Sequence, residues 1–138
     1  AVMAAPMIPE LNDCELESIL QRAQAAGASA AGYILLRLPL EIKDLFAEWL
    51  DTHAPGQAAH VLSQMRDARS GVLYETDFGT RMTGSGERAK LLSKRFDLAC
   101  RRLNLRPARG NDFQMDASQF RVPARLLYPR AGDQLRLF

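Results

Sequence analysis

The sequence predicts an α/β fold in which parallel strands are followed by a mainly helical extension, and three observations carry that prediction. Two short apolar runs, AVMAAPMI at residues 1–8 and GYILLRL from Gly32, lack polar alternation and are stopped at Pro9 and Pro39. Such runs suit strands covered on both faces. Between them lies an amphipathic segment long enough to be the crossover of a parallel pair. From Leu40 onward the apolar spacing is helical almost to Pro107.

Taken in order, the first run is weakened as a central strand by Pro6 and ended by Pro9. LNDCELE then reads as a helix start: Asn12 is the cap, Glu15 its capping-box partner, Leu11 a staple onto Leu16, and Asp13 a favourable first-turn charge. Leu16, Ile19, Leu20 and Ala23 mark the buried face, and Gly27 the carboxyl-terminal cap. After the second strand, Ile42, Leu45, Phe46, Trp49 and Leu50 line one face of a helix that breaks at Pro55 and Gly56. Another helix runs through Ala58, Val61, Leu62 and Met65, and ends before Gly71. VLYETDFGTRMTGSG is a glycine-rich loop, and ERAKLLSKRFDLACRRLNL is the longest helix, with Ala89, Leu92, Phe96, Ala99, Cys100 and Leu103 inward. The expected division is 1–39 for the strand–helix–strand unit, 40–106 for the helical extension, and 107–138 for an irregular tail with short strands at QFRVP and QLRLF.

Two strands are too little sheet for a self-contained doubly wound or barrel protein. Further strands are therefore expected before residue 1. The first strand should then have an open edge, prone to self-association through that edge.

The chain of 138 residues has a net charge of +2 that conceals two opposed halves. Residues 81–138 carry 13 Lys or Arg against 5 Asp or Glu, and residues 1–80 carry 5 against 11. A nucleic-acid partner for the basic half is one reading, and mutual attraction of the halves is the other. No apolar run reaches the roughly 18 residues of a membrane helix, and the start lacks the layout of a secretory signal, so the expected location is cytoplasmic. Cys14 and Cys100 are far apart, His53 and His60 lack a third ligand, and no nucleophile motif occurs.

Candidate sites lie at the carboxyl ends of the strands, where parallel sheets bind ligands. Met7, Ile8 and Pro9 are placed to contact a flat apolar group, and Asn12 or Asp13 to make polar contacts; a plain turn and cap explains the same residues. Arg37, inside LLRLP, calls for either an anionic ligand or a carboxylate such as Glu41. In FGTRMTGSGERA, Arg81 supplies a cation and Ser85 a helix cap, while Gly79, Gly84 and Gly86 serve either ligand approach or packing. Arg88, Lys90, Lys94, Arg95, Arg101, Arg102, Arg106 and Arg109 make a basic face, with Phe113, Phe120 and Tyr128 as scattered candidates for base stacking.

As a set, VMAAPMIPELNDCELESIL, AGASAAGYILLRLP, LFAEWL, FGTRMTGSGERA and QLRLF resemble the carboxyl-terminal portion of a bacterial radical SAM protein of the spore photolyase, or DNA repair photolyase-like, group. The resemblance implies the terminal strands of a partial (β/α)6 barrel, here strands five and six, followed by a predominantly helical carboxyl-terminal extension. It further implies S-adenosylmethionine (SAM) and a four-iron, four-sulfur cluster in the intact protein. Met7, Ile8, Pro9, Asn12 and Arg37 would lie on the SAM side, and Arg81 and Ser85 in a loop facing substrate. The cluster-binding Cys-x-x-x-Cys-x-x-Cys motif is absent from this chain, so no cofactor or metal is expected in it and the chain alone is expected to be catalytically incompetent. The alternative is a basic helical adaptor or nucleic-acid-binding module.

Overall fold

A computed structural model describes residues 1–108 together with Ser118, Phe120 and Arg121. The strands expected at QFRVP and QLRLF, and the positions Arg109, Phe113 and Tyr128, lie outside the described residues apart from Phe120 and Arg121. Strand β1 (Val2–Met7) is followed by a 3-10 turn (Asp13–Glu15), helix α1 (Leu16–Ala25), β2 (Ala30–Leu35), α2 (Ile42–His53), α3 (Ala58–Asp67), α4 (Glu87–Arg102) and β3 (Arg106–Pro107). The molecule is mixed α/β.

The sheet is parallel throughout and ordered β1-β2-β3. Val2, Met3 and Ala4 pair with Ala31, Gly32 and Tyr33, and after an irregularity Met7 pairs with Leu35. Parallel pairing of β1 and β2 agrees with the crossover length read from the sequence. The short β3, which the helical spacing around Arg106 concealed, pairs with Ala30 and Ala31 and makes β2 the central strand. Among the described residues no strand covers the outer edge of β1.

One face of the sheet is packed. Ala4, Met7, Ala31, Tyr33 and Leu35 form a core with Leu16 and Leu20 of α1 and with Ala89, Leu92, Phe96, Ala99 and Cys100 of α4. The Tyr33 and Phe96 rings tilt together at 4.9 Å between centroids. The long fourth helix therefore shares a core with the first 39 residues. On the other face Met3, 54% exposed, lies over Gly32, where a Cβ would meet Met3 Cε at 2.9 Å.

A second core gathers at the carboxyl ends of the strands. Ile8 and Leu38 pack there with Leu50 of α2 and with Ala58, Val61 and Met65 of α3. The apolar face expected on α2 is only partly used: Leu50 is buried and Phe46 half-buried, but Ile42, Leu45 and Trp49 are exposed. Periodicity identifies an apolar stripe, and the breadth of the neighbouring surface decides how much of it is covered.

Two expected helix caps are not made. Asn12 precedes the 3-10 turn but caps no helix: its Oδ1 accepts from Ile8 N–H at 2.7 Å and its Nδ2 donates to the Pro6 carbonyl at 3.0 Å. The backbone leaving β1 has polar groups that the sheet does not pair, and the short amide side chain satisfies two of them at once. The expected staple is absent as well, because Leu11 packs in the second core and Leu16 in the first. At α4 the cap position belongs to Gly86, and Ser85 is turned elsewhere. Gly27, with φ of 91°, ends α1 as expected.

Candidate functional site

The carboxyl ends of β1 and β2 are fixed by a dense set of backbone bonds. Amides of Leu11, Asn12 and Asp13 converge on the Ile8 carbonyl at 3.1–3.3 Å, and Leu36 N–H donates to the Met7 carbonyl. Met7, Ile8 and Pro9 are all buried, Met7 in the first core and Ile8 in the second. Their side chains thus form the floor beneath this end of the sheet. Asn12 holds the floor together from outside.

Above it run the glycine-rich loop and a group of guanidinium side chains. Met82 takes the place of a neighbouring strand beside β2, its carbonyl accepting from Leu35 N–H at 2.9 Å. Arg69 is buried, 2% exposed, and donates through Nη2 to the Leu36 carbonyl at 2.9 Å and through Nη1 to the Arg81 carbonyl at 3.1 Å. A single planar fork therefore ties β2 to the loop. Burial pushes the Arg69 pKa down, and Arg37 adds to that effect, while Glu75 opposes it.

Arg37 and Arg81 flank this tie, next to and at the two carbonyls it bonds. Arg37 is half-buried, reaches the Tyr74 hydroxyl at 3.5 Å and lies 5.9 Å from that ring's centroid. Arg81 stacks over Phe78 at 3.6 Å. Both have a buried Nε with no hydrogen-bond partner. Among the described residues no carboxylate lies within 4 Å of Arg37, Arg69 or Arg81, Glu41 included. Arg69 is thus matched by two backbone carbonyls and feels Glu75 from beyond 4 Å, whereas Arg37 and Arg81 each keep a buried, unpartnered Nε.

Ser85 joins the edge of this region. Its Oγ lies 2.9 Å from Ser70 Oγ and 3.4 Å from Glu75 Oε2, and the two serines border an open groove of about 610 Å³ between the end of α3 and the start of α4. The Ser85 and Gly86 amides both donate to the Ala68 carbonyl at 3.1 Å. A Cβ on Gly86 would lie 1.7 Å from the Asp67 carbonyl oxygen, and one on Gly84 would lie 2.4 Å from that of Ala68. Both glycines therefore serve close packing of the loop on α3.

The basic face of α4 is partly neutralised from within. Arg88 pairs with Glu10 and lies 3.5 Å from Asp13; Arg95 bonds Glu17 at 2.8 and 2.9 Å, approaches Asp13 at 3.4 Å, and donates to its carbonyl at 2.8 Å. The Arg95 hydrogen bonds hold the Glu17 carboxyl below the usual carboxylate range and raise Arg95 in turn. His60 faces Glu10 at 3.9 Å, and His53 packs on Trp49 at 5.1 Å. Cys14 is exposed and Cys100 lies in the core; no group of three potential ligands is placed to hold a metal among the described residues.

Sequence reasoning selected Arg37 and Arg81 but passed over Arg69, Tyr74 and Glu75. A signal for Arg69 was present, because it continues the buried spacing of Val61 and Met65 past the end of α3. A cation on an apolar stripe calls for buried acceptors. No protein-family model, curated protein or solved structure matches the chain.

Proposed function

We propose that this chain is the closing sector of a larger parallel α/β barrel of the radical SAM type, and that Arg37 and Arg81 receive the anionic part of a ligand at its mouth. The observation that carries the ligand assignment is the buried, unpartnered Nε on each of Arg37 and Arg81. Buried donors cost free energy unless they are matched, and a carboxylate or phosphate group would supply what the protein does not. Support for the barrel sector comes from three features together: parallel strands, helices packed against one face, and a β1 edge that no strand covers among the described residues.

In this reading Met7, Ile8 and Pro9 back the adenine side of SAM, with Asn12 fixing their backbone. Arg69 holds the loop in register while Arg37 and Arg81 orient the anion, and Ser85 lies on the substrate side. The cluster does not fit this chain, whose thiols are separated between surface and core. Its cysteines would belong to another part of the protein.

Two measurements test the two halves of the proposal separately. Calorimetric titration of the chain with SAM, inorganic phosphate and sulfate should show anion binding that Arg37→Met and Arg81→Met each weaken about tenfold. Absence of binding by all three ligands sinks the anion site. For the barrel assignment, the coding sequence upstream of Ala1 should contain a Cys-x-x-x-Cys-x-x-Cys loop after a predicted strand, and its absence from the complete reading frame removes that assignment while leaving the anion site standing.

A further inference from the structure

Among the described residues two exposed apolar stripes on different helices are left uncovered, and their flanking charges are opposite. On α2, Ile42, Leu45 and Trp49 are 42%, 58% and 44% exposed, and Glu41, Asp44 and Glu48 are exposed beside them. The Trp49 ring also stacks on Phe46 at 6.0 Å, so the stripe presents a preformed aromatic ridge. On α4, Leu91 and Leu98 are 51% and 60% exposed, flanked by exposed Lys94, Arg101 and Arg102, while the nearby Lys90 is paired with exposed Glu87. Each stripe extends over seven residue steps, about 10.5 Å of helix. Their lengths therefore match.

The acidic side chains Glu41, Asp44 and Glu48, and the bases Lys94 and Arg102, enter no ion pair among the described residues. Two α2 stripes would bring acids against acids, and two α4 stripes would bring bases against bases, so neither pairs with itself. The geometry points to α2 of one molecule docking antiparallel on α4 of a second copy of this chain. Glu41 and Asp44 then meet Arg101 and Arg102, Glu48 meets Lys94, and Trp49 seats between Leu91 and Leu98. Because each copy offers one stripe of each kind, the contact is heterologous and propagates beyond a dimer. It is independent of the anion site and uses a surface other than the β1 edge.

Sedimentation velocity from about 1 μM to 1 mM should show a mass that rises past the dimer with concentration. Dissociation should be about tenfold easier at roughly 500 mM salt than at roughly 50 mM, because the flanking charges are exposed. Trp49, the sole tryptophan, should shift its emission to the blue over the same concentration range. Ile42→Gln with Leu45→Gln should remain monomeric, as should Leu91→Gln with Leu98→Gln; all four positions are exposed, and the circular dichroism spectrum of each variant should match that of the parent chain. A mixture of the two variants should form a one-to-one dimer and stop there, since one partner retains α2 and the other α4. A monomer at every concentration overturns the inference, as does association of either double variant alone or a failure of the mixture to pair. So does a Trp49 shift produced by anionic vesicles or duplex DNA but not by raising the protein concentration.

Discussion

Gly86 and Gly32 are both pressed against neighbours, and what they touch sets opposite expectations. At Gly86 a methyl group would enter the Asp67 carbonyl at 1.7 Å, and backbone at a helix junction cannot step aside. At Gly32 the obstacle is the flexible end of Met3. Gly86→Ala should cost about 3 kcal/mol and Gly32→Ala less than about 1 kcal/mol in denaturant unfolding; equal costs would contradict the packing described. Arg69→Met should cost about 3 kcal/mol, because it removes two charge-assisted bonds and strands the Leu36 and Arg81 carbonyls. Arg69→Lys should recover only part, since an ammonium lacks the planar fork. The Glu17–Arg95 pair predicts a pH effect. A carboxyl held below its ordinary pKa stabilises the fold fully above the unfolded carboxylate range, near 4.3, and loses that contribution as pH falls through its depressed value. Melting temperature should therefore decline below about pH 4, and Glu17→Gln should make the decline shallower.

Helix α2 shows what an element's sequence can and cannot specify. Its stripe of Ile42, Leu45, Phe46, Trp49 and Leu50 is legible from spacing alone, but only Leu50 is enclosed, because the second core meets the helix along one margin. Leu50→Ala should cost about 3 kcal/mol by opening a cavity, whereas Leu45→Ala should leave stability nearly unchanged; urea midpoints would distinguish the two. Helix α4 was fully legible on its buried side, where Ala89, Leu92, Phe96, Ala99 and Cys100 follow one periodic face. The roles of Asn12 and Ser85 were not legible. A residue suited to capping satisfies whichever unpaired group lies closest, and proximity at the β1 exit and beside Ser70 is a tertiary fact.

Across the whole molecule the opposed charges of the two halves meet where α4 crosses the β1–α1 connection. Glu10, Asp13 and Glu17 receive Arg88 and Arg95. Arg95→Ala should cost about 2 kcal/mol, measured by thermal unfolding, and that cost should shrink at high salt only to the extent that the pair is exposed. Amino-acid order by itself determined the α/β class, the parallel pairing of the first two strands, the limits of the helices to within a turn, and the presence of Arg37 at the carboxyl end of the sheet. These follow from periodicity, from proline and glycine stops, and from the length of a crossover, all local in the chain. Tertiary structure decided that α4 belongs to the first core, that β3 makes β2 central, that Arg69 anchors the loop, and that Arg37 and Arg81 each bury an unpartnered Nε. Those features depend on residues distant in sequence sharing limited buried space, and no local pattern records which neighbour fills it.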